Sequence, residues 1–197
     1  MEKIRIGTRG SKLALWQAEY IADLLQSGGL DTEIVKIETK GDKILDVSIS
    51  KIGSKGVFTE EIEQQLADGT IDIAVHSAKD LQSSLDEGFR IVAFTKREKV
   101  NDVLIGSKAI DLSGHSGDVV IGTSSTRRVA TFRHFYPQVH TKDVRGNLQT
   151  RIRKLEEGNY DALMLAYAGV KRMGYEDMIL KTLSTDEFTP AVGQGSV

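Results

Sequence analysis

Short apolar segments alternate with amphipathic ones along the whole chain, a pattern that predicts strands followed by helices. In the first half, a run of apolar residues at helical spacing stops at two consecutive glycines, which predicts a helix with a defined end. The predicted elements of this half are a strand at 3–7, a helix at 11–29, a strand at 33–39, a helix preceded by Thr59 as its N-cap, a strand at 71–77 and a strand at 90–95.

The same alternation begins again after Val100, and Pro137 marks the end of the first helix there. The predicted strands are 103–106, 118–122, 139–144 and 161–166, with helices at 126–135 and 147–159. Alternation in both halves predicts an α/β protein with mainly parallel sheets. The polar stretch at 96–102 is the predicted crossing between two domains, placed at 1–98 and 99–189.

Composition narrows the class of protein. The 197 residues include no cysteine, so disulfides, thiolate nucleophiles and cysteine-ligated metals are excluded. The four histidines show no metal-ligand spacing, and no metal site is predicted. The chain has no apolar run of the roughly 18 residues needed for a membrane span, and its N-terminus lacks an apolar signal region. We therefore expect a cytoplasmic protein that does not associate with membranes.

The net charge of −2 conceals a basic region. Residues 122–172 contain ten Lys and Arg against four Asp and Glu, which favours an anionic partner for this half of the chain. Nucleic acid is one such partner, but a basic face without aromatic interleaving is weak evidence for nucleic-acid binding, and we do not expect it. A nucleic-acid-binding protein would lose affinity steeply as the salt concentration rises.

Four polar clusters follow predicted strands, where ligands bind in open α/β sheets. One interpretation is local helix capping by Ser, Thr and Asn. The other is a cleft shared by two domains that binds several carboxylates or phosphates, since the planar guanidinium of arginine forms paired hydrogen bonds with an oxyanion. The clusters are Thr8, Arg9 and Ser11; His76, Ser77, Lys79 and Asp80; Thr123, Ser124, Ser125, Thr126, Arg127 and Arg128; and Arg145, Gly146, Asn147 and Arg151.

Asp80 differs from its neighbours because it is a carboxylate among cations. One interpretation is an ion pair with Lys79 or a nearby arginine that holds the loop. The other is that Asp80 accepts N–H hydrogen bonds from a ligand and stabilises positive charge as it develops.

Eight segments, in order along nearly the whole chain, resemble the porphobilinogen deaminase (hydroxymethylbilane synthase) family of tetrapyrrole biosynthesis. They are IGTRGSKLALWQA, ETKGDKILD, KIGSKGVFTEEIE, DIAVHSAKD, IGTSSTRR, VRGNLQTRIRKL, YDALMLAYAGVKRMG and TPAVGQG. The resemblance implies two domains of the type II periplasmic-binding-protein kind, facing each other across a cleft. It also implies that the chain returns to the first domain from about residue 190.

The resemblance further implies an activity, the head-to-tail joining of four porphobilinogen units with loss of ammonia on a dipyrromethane cofactor. On this basis Asp80 and Lys79 are the catalytic residues: Asp80 binds pyrrole N–H groups and stabilises the cationic azafulvene, and Lys79 adds charge beside it. Lys55 and Phe58 are expected in a mobile cover. The residues expected to bind the carboxylates of substrate and cofactor are Arg9, Ser11, Ser77, Thr123, Ser124, Ser125, Arg127, Arg128, Arg145, Gly146, Asn147, Arg151 and Arg172.

One departure from the family concerns the cofactor. The family anchors dipyrromethane on a cysteine of a third, C-terminal domain, whereas this chain has no cysteine and stops within the TPAVGQG region. We therefore expect a monomeric two-domain segment that is inactive alone, whether it is an engineered fragment, a proteolytic product or a natural two-domain paralogue. The alternative function is a non-catalytic module that binds a small carboxylated or phosphorylated ligand.

Overall fold

Residues 3–39, 59–113 and 119–197 are described by the computed structural model. Lys55 and Phe58, expected in a mobile cover, lie outside these residues. The chain divides into two compact units. Unit 1 consists of Met1–Arg97 with Ser196–Val197, and unit 2 consists of Glu98–Gly195.

Unit 1 contains a parallel three-stranded sheet in the order β2-β1-β3. Because all three strands run in the same direction, the loops that follow β1 and β3 leave the sheet at the same edge. A short 3-10 helix at Ala78–Asp80 follows β3. The elements are β1 (Ile4–Arg9), α1 (Lys12–Ser27), β2 (Thr32–Ile37), α2 (Glu60–Ala67) and β3 (Ile73–Ala74).

The core of unit 1 forms where α1 covers the sheet. The small buried residues Ala18 and Ala22 lie one helical turn apart on α1 and pack against the fully buried Ile6 of β1. Val197 packs in the same cluster. The helix ends before Gly29, whose φ of +83° is in the region that favours glycine.

Unit 2 contains a mixed five-stranded sheet in the order β6-β5-β7-β4-β8. Its β6, β5 and β7 strands are parallel, whereas β4 pairs antiparallel with both β7 and β8. The elements are β4 (Asp102–Ile105), β5 (Val120–Gly122), α3 (Thr126–Phe135), β6 (His140–Lys142), α4 (Leu148–Glu156), β7 (Ala162–Ala166), α5 (Tyr167–Arg172) and β8 (Ile179–Thr182).

The central strand β7 explains why this sheet is buried on both faces. Its side chains alternate between two core clusters, with Leu163 and Leu165 on one face and Met164 on the other. Helix α3 covers the second face through the fully buried Phe132. A continuous apolar run is the expected pattern for such a strand.

One local prediction is wrong. Residues 90–95 form no strand: within unit 1 the backbone N–H of Thr95 donates to the Val197 carbonyl, and Val92 and Phe94 are 72% and 60% exposed. The prediction that Thr59 is the N-cap residue of α2 is confirmed, although its side chain forms no capping hydrogen bond. Two further elements, α5 and β8, were not predicted at all.

Candidate functional site

The loop after β1 brings Arg9 and Ser11 to the carboxyl edge of the unit 1 sheet. Ser11 is the N-cap of α1, and its hydroxyl accepts a hydrogen bond from the Ala14 backbone N–H at 3.3 Å. The buried Thr8 hydroxyl donates to the Ala14 carbonyl at 3.1 Å and fixes the same turn. For Ser11, therefore, local capping is the observed role in this structure.

A small cavity of about 80 Å³ lies at this edge of unit 1. Buried Gln17 on α1 donates from Nε2 to the Ser77 hydroxyl at 2.7 Å, which joins the helix to the loop after β3. The buried Thr59 hydroxyl has no hydrogen-bond partner among the described residues. Both polar loops, α1 and the N-cap of α2 line the cavity, with side chains that include Arg9, Ser11, Gln17, Thr59, Ser77 and Asp80.

Asp80 lies at the end of the 3-10 helix that follows β3, and it is exposed, as is Lys79. Its backbone N–H donates to the Ser77 carbonyl at 2.8 Å, which sets the turn. No ion pair between Asp80 and Lys79 occurs in the described part of the chain. The interpretation of Asp80 as a structural ion pair with that lysine therefore has no support here.

His76 lines the same cavity, and the pKa of its imidazole depends on the charges around it. Burial lowers the pKa of its imidazole below the ordinary value; the negative charge of Asp80 raises this pKa, and the positive charge of Arg9 lowers it. Both charged groups are therefore close enough to act on one imidazole. Arg9 and Asp80, predicted from different clusters, lie in one neighbourhood.

In unit 2, the loop after β5 is held to the loop after β6. The Ser124 hydroxyl donates to the Val144 carbonyl at 2.9 Å and accepts from the Val144 backbone N–H at 3.0 Å. Thr123 is buried, and its hydroxyl accepts from the Ser125 N–H at 3.3 Å. Ser125 is the N-cap residue of α3, but its side chain forms no capping hydrogen bond.

The loop after β6 is built around Gly146 and Asn147. Asn147 caps α4: its Oδ1 accepts from the Thr150 backbone N–H at 2.9 Å and from the Thr150 hydroxyl at 3.0 Å. Arg151 donates from Nε to the Gly146 carbonyl at 2.8 Å, and Lys154 donates to the Arg145 carbonyl at 3.3 Å. Capping is thus the observed role of Asn147, and the two basic side chains brace the loop.

Arg127 and Arg128, at the start of α3, both bind Asp102 of β4. Arg128 Nη2 lies 2.6 Å from Asp102 Oδ1, and Arg127 Nη2 lies 2.8 Å from Oδ2. Burial alone would raise the pKa of Asp102, but the adjacent Arg128 and Arg127 guanidinium groups hold it below its ordinary value. The carboxylate is therefore ionised inside the unit.

Arg172, at the end of α5, donates from Nη2 to the carbonyl of Gly195 at 2.8 Å. The preceding Lys171 forms an ion pair with Glu98 at 2.7 Å, and this hydrogen-bonded contact lowers the pKa of Glu98. Because Glu98 and Gly195 are the first and last residues of unit 2, the end of α5 holds both of its chain termini.

Within unit 1 the structure brings Arg9, Ser11, Ser77 and Asp80 to one cavity, and within unit 2 it joins the loop after β5 to the loop after β6. Sequence reasoning missed Asp102, Gln17 and Gln194, which contact predicted residues but lie far from them in the chain. For Asp102 a signal existed, since a charged residue heads an otherwise apolar, fully buried strand.

Among residues 3–39, 59–113 and 119–197, no group of three or more His, Asp or Glu is arranged to hold a metal ion. None of the helices described in either unit is long and apolar enough to cross a membrane.

The sequence matches known proteins along nearly its whole length. Residues 4–197 match the family model described as "Porphobilinogen deaminase, dipyromethane cofactor binding domain". A porphobilinogen deaminase of Cytophaga hutchinsonii is 64% identical over 98% of this chain and 62% of its own length. One of Desulfosudis oleivorans is 56% identical over 99% of this chain and 63% of its own length. The chain therefore spans less than two thirds of the length of these relatives.

Solved structures support the fold class alone. An ancestral cationic amino acid solute binding protein superposes with a TM-score of 0.52, at 13% identity, over 92% of this chain and 76% of its own. A periplasmic VFT2 domain of Bordetella pertussis BvgS gives 0.50, at 16% identity, over 92% and 75%. The predicted α/β class of periplasmic-binding-protein-like units is confirmed.

Proposed function

Because the chain belongs to the porphobilinogen deaminase family, we propose that it acts in tetrapyrrole biosynthesis, in the stepwise head-to-tail joining of four porphobilinogen units with loss of ammonia. Porphobilinogen is a pyrrole that carries an acetate, a propionate and an aminomethyl group. Its binding therefore calls for cations that neutralise carboxylates and for one anion that can face positive charge.

The neighbourhood of Asp80 is the single observation that carries this proposal. Asp80 is an exposed carboxylate at the edge of the sheet, and it shares a cavity with Arg9 and with the hydroxyls of Ser11 and Ser77. Such a carboxylate can accept a hydrogen bond from a pyrrole N–H and stabilise the positive charge that develops as ammonia departs. Arg9 in the same cavity supplies a cation for a ring carboxylate.

Unit 2 supplies further donors for carboxylates. Ser125 and Arg127 lie at the N-terminal end of α3, where the helix dipole favours negative charge. Arg145, Arg151 and Arg172 lie on the loop after β6, on α4 and on α5, and each is partly exposed. We propose that each unit binds carboxylates of the pyrrole rings with its own set of donors.

The donor set also fits a dipyrromethane cofactor. That group carries four carboxylates and two pyrrole N–H groups. In unit 1, Arg9 and the hydroxyls of Ser11 and Ser77 are donors of the kind that carboxylates need, and Asp80 is an acceptor for N–H groups. In unit 2, taken by itself, Arg127 and Ser125 are donors of the same kind. When bound, the cofactor supplies the pyrrole carbon to which the first substrate unit is joined. The chain contains no cysteine to tether it.

The test compares this chain with a chimera in which it replaces the matching 62% of the Cytophaga hutchinsonii relative. With porphobilinogen, the chimera should release ammonia and form hydroxymethylbilane, whereas the 197-residue chain should not turn over. In the chimera, Asp80→Asn should reduce turnover about 100-fold or more, the usual effect of removing a group that stabilises transition-state charge.

Asp72→Asn in the chimera is the matched control, because it removes the same charge from an exposed ion pair of the same unit. Its turnover should stay within about twofold of the unsubstituted chimera, since exposed pairs contribute little. Near-normal turnover of the Asp80→Asn chimera would remove Asp80 from the mechanism, and an inactive chimera that folds would reject the proposed activity.

Calorimetric titration separates the proposal from a general anion-binding module. The 197-residue chain should bind porphobilinogen more tightly than citrate or inorganic phosphate. Equal affinity for the three would favour a carboxylate- or phosphate-binding module without catalytic function.

A further inference from the structure

Asp102 is the centre of a buried hydrogen-bond network that the proposed function does not yet use. Its side chain is fully buried at the start of β4. Oδ1 accepts from Arg128 Nη2 at 2.6 Å and from Gln194 Nε2 at 3.0 Å, and Oδ2 accepts from Arg127 Nη2 at 2.8 Å. Gln194 also donates to the Val100 carbonyl at 2.6 Å, which fixes the side chain that holds Oδ1.

The two arginines of the network are not equivalent. Arg128 is only 8% exposed in its side chain, donates from Nη1 to the Met164 carbonyl at 2.9 Å, and has a buried Nε with no partner among the described residues. It neutralises the Asp102 carboxylate and joins α3 to β7. Its contacts are those of a residue that stabilises the interior of unit 2.

Arg127 is 29% exposed, and its guanidinium group is held through its two terminal nitrogens. Nη2 binds Asp102, and Nη1 donates to the Thr189 carbonyl at 2.6 Å. Its Nε makes no hydrogen bond to any residue that the structure describes, so three of its five N–H groups remain for a ligand. A guanidinium already fixed at two nitrogens loses little conformational entropy when an anion binds it.

The net charge of the network around Asp102 also favours binding of an anion at Arg127. One carboxylate faces two guanidinium groups, so the network carries one net positive charge. Because Arg128 is buried, the excess charge is accessible through Arg127, in the first turn of α3 where anions are also favoured by the helix dipole.

We propose that Asp102 is a positioning residue, which holds Arg127 in the orientation that binds a carboxylate of the pyrrole ligand, and that Gln194 in turn holds Asp102. This inference rests on the proposed function for the identity of the ligand. It assigns a role to the TPAVGQG segment as well, since Gln194 of this segment donates to Asp102, the carboxylate that binds both arginines.

The experiment is calorimetric titration of the 197-residue chain with porphobilinogen and with its dimethyl ester, which keeps the ring and lacks the carboxylate charges. Asp102→Asn should weaken binding of the acid about tenfold, because Arg127 is no longer held in place and its charge-assisted contact with the ligand carboxylate is lost. Binding of the ester should not change, since the ester has no carboxylate for Arg127. Arg127→Lys should give the same selective loss. The double variant should lose no more than either single one, since both changes disable one interaction.

Arg153→Gln is the matched control, because it removes an exposed arginine whose ion-pair partner among the described residues is Glu157, the residue that follows α4. Its affinities should not change. Equal losses for acid and ester in Asp102→Asn, or additive losses in the double variant, would overturn the inference.

If Asp102→Asn does not fold, Gln194→Met tests the same network with its charges intact, and a selective loss of two- to threefold for the acid is expected. In the unsubstituted chain, slow rotation of the Arg127 guanidinium in NMR spectra should show that it is fixed, and free rotation would contradict the inference. If the chain binds citrate but not porphobilinogen, the proposed function fails, whereas the same variants titrated with citrate still test the network. If the chain binds neither porphobilinogen nor citrate, both the proposed function and the inference about Asp102 are overturned.

Discussion

Gly146 should be the least replaceable glycine near the proposed carboxylate-binding loop of unit 2. Its φ is +106°, a region that other residues adopt only with strain. A Cβ at this position would lie 2.5 Å from Thr150 Cγ2 and 2.7 Å from Thr150 Cβ. Thr150 cannot turn away freely, because its backbone N–H and hydroxyl both donate to the Asn147 side chain.

The cost of Gly146→Ala follows from these two effects. The positive φ costs about 1–2 kcal/mol for a residue with a Cβ, and overpacking against a fixed side chain costs about 1–3 kcal/mol. We expect the free energy of opening of α4 to fall by about 3 kcal/mol in total. Amide hydrogen exchange in α4, measured by mass spectrometry, should therefore be roughly 100-fold faster than in the unsubstituted chain.

Gly158→Ala is the matched control at the other end of the same helix. Gly158 has a φ of +79°, but a Cβ there would meet no atom within 4 Å. The control therefore carries only the backbone cost of about 1 kcal/mol, which accelerates exchange by less than about tenfold. Equal acceleration by the two substitutions would show that contact with Thr150 contributes nothing, and would refute the reasoning.

Three further predictions concern unit 1. Hydrogen bonds from Arg5 lower the pKa of Asp72 to about 2; after allowance for solvent screening, Asp72→Asn should reduce the free energy of unfolding at pH 7 by about 1 kcal/mol. In urea titrations this difference should vanish as the pH falls from 3.8 to about 2. Burial lowers the pKa of His76 below 6.5, so folding disfavours the charged imidazole. The stability that the neutral side chain contributes should be present above pH 6.5 and lost as the pH falls below it. An NMR titration midpoint above 6.5 for His76 would contradict this. Ser11→Ala should cost about 1 kcal/mol and speed exchange of the Ala14 amide, whereas Ser11→Asp should retain protection.

The predicted elements were correct where local sequence alone decides the structure. The apolar segment that became β5 is followed by hydroxyl residues, and α3 then runs to Phe135, two residues before Pro137. The failure at 90–95 is different in kind. Its run of four apolar residues, 91–94, is typical of a strand, but a strand forms only where another backbone pairs with it, and such a run carries no information about that partner.

The partners of Asp102 could not be identified from the sequence for a related reason. Its partners lie 25, 26 and 92 residues away, at Arg127, Arg128 and Gln194. Local reading placed Asp102 in a polar stretch between domains, and placed both arginines in a loop that binds external anions. Only the fold brings the carboxylate to the arginines and divides them into a buried side chain and a half-buried one.

The hydroxyl and amide residues at the strand ends looked alike in the sequence, yet the structure gives them different roles. Ser11 and Asn147 cap helices and Ser124 joins two loops, so the side-chain oxygens of these three residues already accept hydrogen bonds within their own units. Ser125 forms no cap with its side chain. Because a side chain committed to the backbone offers less to a ligand, the number of hydroxyls in a cluster is a poor guide to binding. Charged groups with remaining N–H donors, such as Arg127, are a better guide to where a ligand binds.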